Sequence, residues 1–188
     1  MPENQDSIAN QTAEGTPKRI ENGQDYIESL RNRPLNIHYL GKQITDPVEH
    51  PVIRPSINAI AETYDLVITN PELALTISPY TGQPINRFLH IATSRADLVQ
   101  QNKMQRKLGQ LTGTCFQRCV GMDALNALYS VTYEIDEEHE TPYHSRLKEF
   151  IRYTHERNLV IGGAMTDVKG DRSKAPHQQS DPDLFVHI

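Results

Sequence analysis

Apolar residues recur at helical spacing along most of this chain. Between Ile57 and Leu66 they occupy every third or fourth position, and the following Asn70-Pro71 pair disfavours helical backbone. The same reading, together with capping residues and proline positions, identifies the other helical segments. Five helices are predicted: one capped by Asp25, one from Ile57 to about Thr69, one over 96–111 capped by Ser94, one from Cys115 to about Tyr133, and one from Pro142 to about Arg157.

Turn-forming residues separate these helices. Gly41-Lys42 predicts a tight turn that joins two short strands, 36–40 and 43–44, into a hairpin. The proline- and glycine-containing stretch 71–90 predicts a loop, and the acidic stretch 134–140 predicts a solvated turn. The pattern therefore predicts a mainly α fold with a short hairpin near its beginning.

The two ends of the chain differ from its helical centre. Residues 1–20 are polar and aperiodic, which predicts a disordered tail. Near the other end, Leu159–Ile161 predicts a short strand, and alternating apolar residues at 184–188 predict the start of another. We therefore divide the chain into the tail at 1–20, a helical domain at 21–158 and the beginning of a β domain at 159–188.

Composition narrows the functional classes. The chain has 188 residues, a hydrophobic fraction of 37% and an aromatic fraction of 6%, values that predict a core completed by further chain or by a partner. A formal net charge of −5 argues against a nucleic-acid-binding protein, which usually carries a basic face. The absence of a long apolar run and of a secretory signal predicts a cytoplasmic protein without a membrane span.

Cys115 and Cys119 are the only cysteines of the sequence. On the predicted helix they would share one face, with Cβ atoms roughly 5–6 Å apart, which suits one metal centre better than a disulfide. Zinc and iron–sulfur sites usually need four ligands, so the pair supplies half. The alternative, two small apolar residues in a core, is favoured by the spacing alone. Arg118 is predicted to stabilise the thiolates, and His139 and His144 to lie at the surface.

Several segments together resemble the 4-hydroxybutyryl-CoA dehydratase family. The resemblance covers about residues 22–188, and its motifs are long and occur in one order. The broader group includes 4-hydroxyphenylacetate 3-monooxygenases, flavin enzymes that lack the cluster, and the two cysteines separate the dehydratase branch from them. The matching segments are 50–58, 85–88, 103–110, 115–127, 132–136, 163–172 and 181–185.

The resemblance implies the N-terminal helical domain of an acyl-CoA dehydrogenase-like fold, followed by the start of its middle β domain. It also implies FAD and a 4Fe–4S cluster, with Cys115 and Cys119 as two of the four cluster ligands. The remaining ligands and the catalytic base of the family lie beyond this length, so no catalytic residue is assigned here and the chain resembles an N-terminal fragment. The implied flavin loop, which by pattern alone is a solvated charged turn, comprises Met165, Thr166, Asp167, Val168, Lys169, Gly170, Asp171 and Arg172.

Three functions follow from these observations. The resemblance implies a lyase with isomerase activity that converts 4-hydroxybutyryl-CoA to crotonyl-CoA by a radical mechanism, with an acyl-CoA substrate and a homotetrameric assembly or a split-gene partner. The second is an FAD-dependent monooxygenase, which has no need of the cysteine pair. The third is a non-catalytic remnant or interaction module. Under each of them, the chain by itself is expected to be inactive.

Overall fold

Six α-helices and two small hairpins make up the part of the chain that the computed structural model describes, residues 18–31, 33–163, 171 and 173–179. This confirms the mainly helical class, while the predicted strand 184–188 lies outside the described residues. The helices are α1 (Gly23–Arg31), α2 (Arg54–Thr69), α3 (Pro71–Ala74), α4 (Arg95–Thr112), α5 (Cys119–His139) and α6 (Tyr143–Arg157). The antiparallel hairpins pair β1 (Ile37–Tyr39) with β2 (Lys42–Ile44) and β3 (Leu75–Ile77) with β4 (Pro84–Asn86).

Local capping residues set the helix limits. The Ser94 hydroxyl accepts a hydrogen bond from the Asp97 backbone N–H at 3.2 Å, and the Asp97 carboxylate accepts one from the Ser94 N–H at 3.0 Å. This reciprocal pair satisfies two N–H groups that the first turn of α4 leaves free, and it confirms Ser94 as the cap. At α1, Asn22 rather than Asp25 accepts from the third residue of the helix, so the predicted cap is wrong by three positions.

Two segments predicted as irregular contain regular structure. Stretch 71–90 contains α3, β3, β4 and a short 3-10 turn. The sequence did not predict them because strands of three residues are too short to show a periodic pattern. The acidic stretch 134–140 is helical through His139 and ends where Glu140 adopts a φ of 53°. The Asp136 carboxylate accepts the backbone N–H groups of Tyr143 and His144, so the acidic residues help to begin α6.

The helical body begins earlier than predicted. Ile20 is only 3% exposed, and its N–H donates to the Arg157 carbonyl at the end of α6. The Arg19 guanidinium donates to the carbonyls of His155 and Glu156, also in the last turn of α6. Residues 18–20 therefore belong to the folded body rather than to the predicted tail, of which residues 1–17 lie outside the described residues.

Three apolar clusters form the core, and α2 contributes to two of them. The first contains residues from α2, α4, α5 and the turn before α5; the second joins α1 to α2; the third lies between β4, α5 and α6. None of the described helices is long and apolar enough to cross a bilayer. The fully buried members of these clusters are Tyr64, Leu66, Ala74, Ile85, Met104, Leu108 and Ile151.

A buried histidine links α6 to the second hairpin. His155 is fully buried; its Nε2 lies 2.9 Å from the Leu89 carbonyl and its Nδ1 lies 2.8 Å from the Ser78 hydroxyl. The carbonyl can only accept, so Nε2 carries the hydrogen and Nδ1 accepts from Ser78. Burial lowers the pKa of His155, although the Leu89 carbonyl opposes this, and the nearby His90 and Arg19 lower the pKa further.

The free energy of unfolding is therefore expected to fall as the pH decreases. Because the folded state holds the pKa of His155 below its ordinary value of about 6.5, stability is fully present above that pH and is lost towards the folded-state pKa. The slope is at most about 1.4 kcal/mol per pH unit for one proton. Burial also lowers the pKa of His144, which adds an effect of the same sign. Urea unfolding between pH 7.5 and 5 measures the change.

The His155→Gln variant is the matched control for this prediction. Glutamine offers one donor and one acceptor in place of the neutral imidazole, but it does not titrate. Its free energy of unfolding should depend less on pH than that of the wild type. An equal pH dependence in both proteins would show that His155 does not cause the effect.

Candidate metal and cofactor site

The cysteine turn (residues 113–118) joins α4 to α5 and differs from the predicted helix. Gly113 ends α4 with a φ of 62°, and α5 begins only at Cys119. Gln117 also has a positive φ, 59°, which interrupts any helical path between the two cysteines. Cys115 therefore lies in the turn and Cys119 in the first turn of α5. The prediction that both lie on one helix face is wrong.

Both cysteines are free thiols. Cys115 is exposed, and the Gln117 backbone N–H lies 3.4 Å from its sulfur; Cys119 is half-buried and packs against the cluster that contains Phe88 and Phe116. As the first residue of a 21-residue helix, Cys119 lies where free backbone N–H groups and the helix dipole favour a negative charge. Cysteine binds metals as the thiolate, and neither sulfur is engaged in a disulfide.

Arg118 is directed into the core. It is 1% exposed, and its guanidinium donates to the Thr63 hydroxyl at 2.8 Å and to the Leu159 carbonyl at 3.3 Å. The same group lies 4.7 Å from the ring centre of Tyr64 and 4.9 Å from that of Phe88. Burial lowers its pKa, yet an arginine remains charged at neutral pH. Its hydrogen bonds within the described residues go to Thr63 and Leu159 and not to either sulfur, so Arg118 does not provide the predicted stabilisation of the thiolates through a hydrogen bond.

Residues 159–163 cross the first turn of α5. A Cβ at Gly121 would overlap the Ile161 carbonyl group, and a Cβ at Gly163 would overlap the Val120 side chain. The segment forms no strand, because its backbone packs against the helix instead of pairing with another extended segment. The strand predicted at Leu159–Ile161 is therefore wrong. The chain reaches residue 163, just before the predicted flavin loop, in contact with the helix turn that follows Cys119.

The predicted flavin loop lies outside the described residues except for Asp171. The Asp171 carboxylate is exposed and accepts hydrogen bonds from the backbone N–H and hydroxyl of Ser173, which lower its pKa. Lys174 lies 3.7 Å from the same carboxylate. The role of the loop residues thus stays a prediction. Within the described ranges, no group of three histidine, cysteine or acidic side chains converges as metal ligands would.

The two histidines predicted at the surface differ. His139 is exposed, but His144 is 8% exposed and lies edge-on against Tyr129, with ring centres 4.7 Å apart. Its Nδ1 is 3.0 Å from the Thr132 hydroxyl, and its ring centre lies 5.5 Å from that of Tyr133. The surface prediction is therefore wrong for His144, which joins α6 to α5.

Two features of the site were not predicted. One is the burial of Phe116 and Arg118 in a turn that is otherwise polar and exposed. The other is the direct backbone contact at Gly121. The sequence signals were an aromatic residue within the cysteine turn, and a glycine inside a helix followed later by the Gly162-Gly163 pair. Such signals mark a close approach, but they do not identify its partner.

A family model described as 4-hydroxyphenylacetate 3-hydroxylase N terminal matches residues 22–188. The chain therefore belongs to this family of enzyme N-terminal domains. Within it, the chain is 50% identical over 168 residues to 4-hydroxybutyryl-CoA dehydratase/vinylacetyl-CoA-Δ-isomerase of Clostridium aminobutyricum, covering 88% of this chain and 34% of that protein. The resemblance to the dehydratases that the sequence motifs predicted is confirmed.

Solved structures of a dehydratase and of a monooxygenase component are also similar to this chain, and the dehydratase is the more similar of the two. An oxygen-tolerant archaeal 4-hydroxybutyryl-CoA dehydratase from N. maritimus superposes with a TM-score of 0.78 at 62% identity, over 90% of this chain and 33% of that one. The FAD complex of HpaB, the oxygenase component of 4-hydroxyphenylacetate 3-monooxygenase, superposes with a TM-score of 0.59 at 25% identity, over 87% and 34%. The chain thus spans about a third of the length of the relatives it matches.

Proposed function

We propose that this chain is the N-terminal helical part of an FAD- and 4Fe–4S-dependent 4-hydroxybutyryl-CoA dehydratase. The observation that carries the proposal is its 50% identity to the clostridial dehydratase and 62% identity to the archaeal one, against 24–26% for the monooxygenase components. The free cysteine pair, for which a flavin monooxygenase has no evident use, adds to this argument.

Cys115 and Cys119 would supply two thiolate ligands to the cluster. The donor chemistry fits, because both thiols are free, one is exposed, and the other lies at the positive end of a long helix. No third donor joins them within the described part of the chain, so the other ligands would come from elsewhere. Cys119 packs against the apolar cluster that contains Phe88 and Phe116, which would limit the contact of this ligand with water.

Residues Met165–Arg172 would contact FAD. The loop carries two cations, Lys169 and Arg172, and one glycine, Gly170, a residue type suited to a close approach of the backbone to the anionic pyrophosphate. Its predecessor, segment 159–163, packs beside Cys119, which supports a flavin near the cluster. When bound, the cluster would supply a Lewis acid for the leaving hydroxyl and FAD would supply one-electron oxidation.

The substrate class would be a 4-hydroxyacyl-CoA, and the assembly either a homotetramer or a complex with a partner that supplies the remaining two thirds. A monooxygenase-like flavin protein is the second candidate, supported by the superposition on the FAD complex of HpaB. A non-catalytic remnant is the third. The three candidates differ in what the assembled protein binds. A dehydratase binds iron and FAD, a monooxygenase-like protein binds FAD without iron, and a remnant binds neither.

A chimera separates these candidates. Residues 22–188 would replace the matched third of the archaeal dehydratase, and the product would be assayed anaerobically for iron, sulfide, FAD and formation of crotonyl-CoA. We expect all four in the chimera, and loss of iron and turnover in Cys115→Ala or Cys119→Ala, because each removes a thiolate ligand.

Thr114→Ala is the control, since it changes an exposed neighbour in the same turn without removing a sulfur. It should retain iron and turnover. Iron content unchanged in either cysteine variant would contradict the ligand assignment. A chimera that binds FAD but no iron would favour the monooxygenase-like candidate, and one that binds neither would favour the remnant.

A further inference from the structure

Exposed and buried side chains alternate along the cysteine turn. Cys115 and Gln117 face solvent, whereas Phe116 is 8% exposed and Arg118 is 1% exposed. The Phe116 ring packs against Phe88 with ring centres 5.4 Å apart. The buried side chains of Phe116 and Arg118 therefore anchor the turn. Cys115, which precedes them in the sequence, is exposed, and Cys119, which follows them, is half-buried.

Arg118 is the polar member of these two anchors, and it joins three parts of the fold. One nitrogen donates to Thr63 in α2, another donates to the carbonyl of Leu159, and its own backbone precedes the first residue of α5. The Thr63 hydroxyl is itself fixed, because it is fully buried and donates to the Ile60 carbonyl at 2.6 Å. The planar guanidinium suits this bridge, since it directs several N–H groups at fixed angles.

Among the described residues, no carboxylate contacts Arg118. Its charge faces two aromatic rings, a hydroxyl and a carbonyl, and its Nε has no hydrogen-bond partner within the described residues. Burying a cation in this way costs stability that an apolar side chain of similar volume would not cost. The advantage of arginine here is therefore geometric: it reaches two elements at once from the residue next to Cys119.

We propose that Arg118 is the positioning residue of the thiol pair. By linking the cysteine turn to α2 and to segment 159–163, it fixes the separation of the two sulfurs and the path of the chain towards the predicted flavin loop. The importance of that separation rests on the proposed function, in which both sulfurs bind one cluster. The geometry itself is a property of this chain and can be measured without iron.

Phenylarsine oxide, which bonds two thiols at once, is a suitable probe. Two As–S bonds form on one arsenic atom, and the two thiol protons leave with the arsenic oxygen as one water molecule. In the reduced full chain, we expect Arg118→Met to weaken this two-sulfur binding by about tenfold, as loss of an orienting contact does at metal sites. The arsenical affinity of Arg118→Lys should fall between those of the wild type and Arg118→Met, because lysine keeps the charge but can reach only one of the two acceptors.

Arg87→Met is the matched control. Arg87 is also buried and forms no salt bridge within the described ranges, but it donates to the Leu73 and Leu75 carbonyls rather than to Thr63 or Leu159. It should lower the melting temperature while leaving the arsenical affinity unchanged. If Arg118→Met does not fold, Thr63→Val removes the acceptor of Arg118 without touching the arginine, and it should weaken binding in the same direction.

The outcomes separate this inference from the proposed function. Wild-type arsenical affinity in both Arg118→Met and Thr63→Val, or attachment of the reagent to only one sulfur in the wild type, would overturn the positioning role. Anaerobic iron uptake, measured separately in the chimera, tests the metal assignment. A variant series that changes arsenical binding while no iron binds would support the positioning role and contradict the cluster.

Discussion

Replacing Gly121 with alanine is expected to destabilise the domain by about 3 kcal/mol or more. The new Cβ would overlap the carbonyl carbon and oxygen of Ile161, which are backbone atoms and cannot rotate aside as a side chain would. Either α5 or segment 159–163 must move, and movement of the segment would disturb the Arg118–Leu159 hydrogen bond. The gain in helix propensity, at most about 1 kcal/mol, is too small to compensate.

Gly109→Ala provides the matched control in urea unfolding followed by circular dichroism. Gly109 also lies inside a helix, α4, but a Cβ there would meet no atom within 4 Å. This variant should gain about 0.5–1 kcal/mol, because alanine is the better helix former. Similar gains in both variants would mean that segment 159–163 does not pack against α5.

The parts of the fold that the sequence predicted are those with local signals. Helix α2 carries an apolar stripe and ends before a proline, α4 has a capping box, and the first hairpin turns at Gly41. The predicted limits of α5, Cys115 and about Tyr133, differ from the observed Cys119 and His139. The observed limits depend on positive φ values at Gln117 and Glu140, and neither glutamine nor glutamate favours a positive φ, so the sequence does not indicate them. The β3–β4 hairpin was missed because three-residue strands are too short to show alternation.

The sequence singles out candidate ligand residues, but it does not predict their geometry. Cys115 and Cys119 are singled out by scarcity and by flanking motifs, but their arrangement depends on where Phe116 and Arg118 go. Sequence spacing treats Arg118 as a neighbour of the sulfurs, whereas its partner Thr63 lies 55 residues away along the chain. Contacts of this range are set by packing, so a periodic pattern contains no information about them.

Asn158 is the second position where one substitution should have a large effect. It ends α6 with a φ of 51° and is 5% exposed. Its side chain accepts from the Asn86 backbone N–H at 2.9 Å and donates to the Ile20 carbonyl at 2.8 Å, while its own carbonyl accepts from the Tyr64 hydroxyl at 2.6 Å. The N-terminal segment, β4 and α2 therefore meet at this one residue.

Asn158→Ala is expected to lower the free energy of unfolding by about 3–7 kcal/mol. It leaves the Asn86 N–H and the Ile20 carbonyl buried without partners, at about 1–3 kcal/mol each, and it places alanine in left-handed backbone at about 1 kcal/mol. Asn158→Gly loses the same hydrogen bonds but relieves the backbone, so it should be about 1 kcal/mol less destabilised than the alanine variant.

The comparison between these two variants assigns the effect to its cause. Asn102→Ala is the control, because Asn102 is exposed on α4 and its amide donates to the Leu98 carbonyl of the same helix; this variant should change stability little. Equal losses in Asn158→Ala and Asn158→Gly would attribute the whole effect to the two side-chain hydrogen bonds. A glycine variant as stable as the wild type would instead attribute it to the backbone, and Asn158 would then be a helix end rather than the residue that ties Ile20 and β4 to α6.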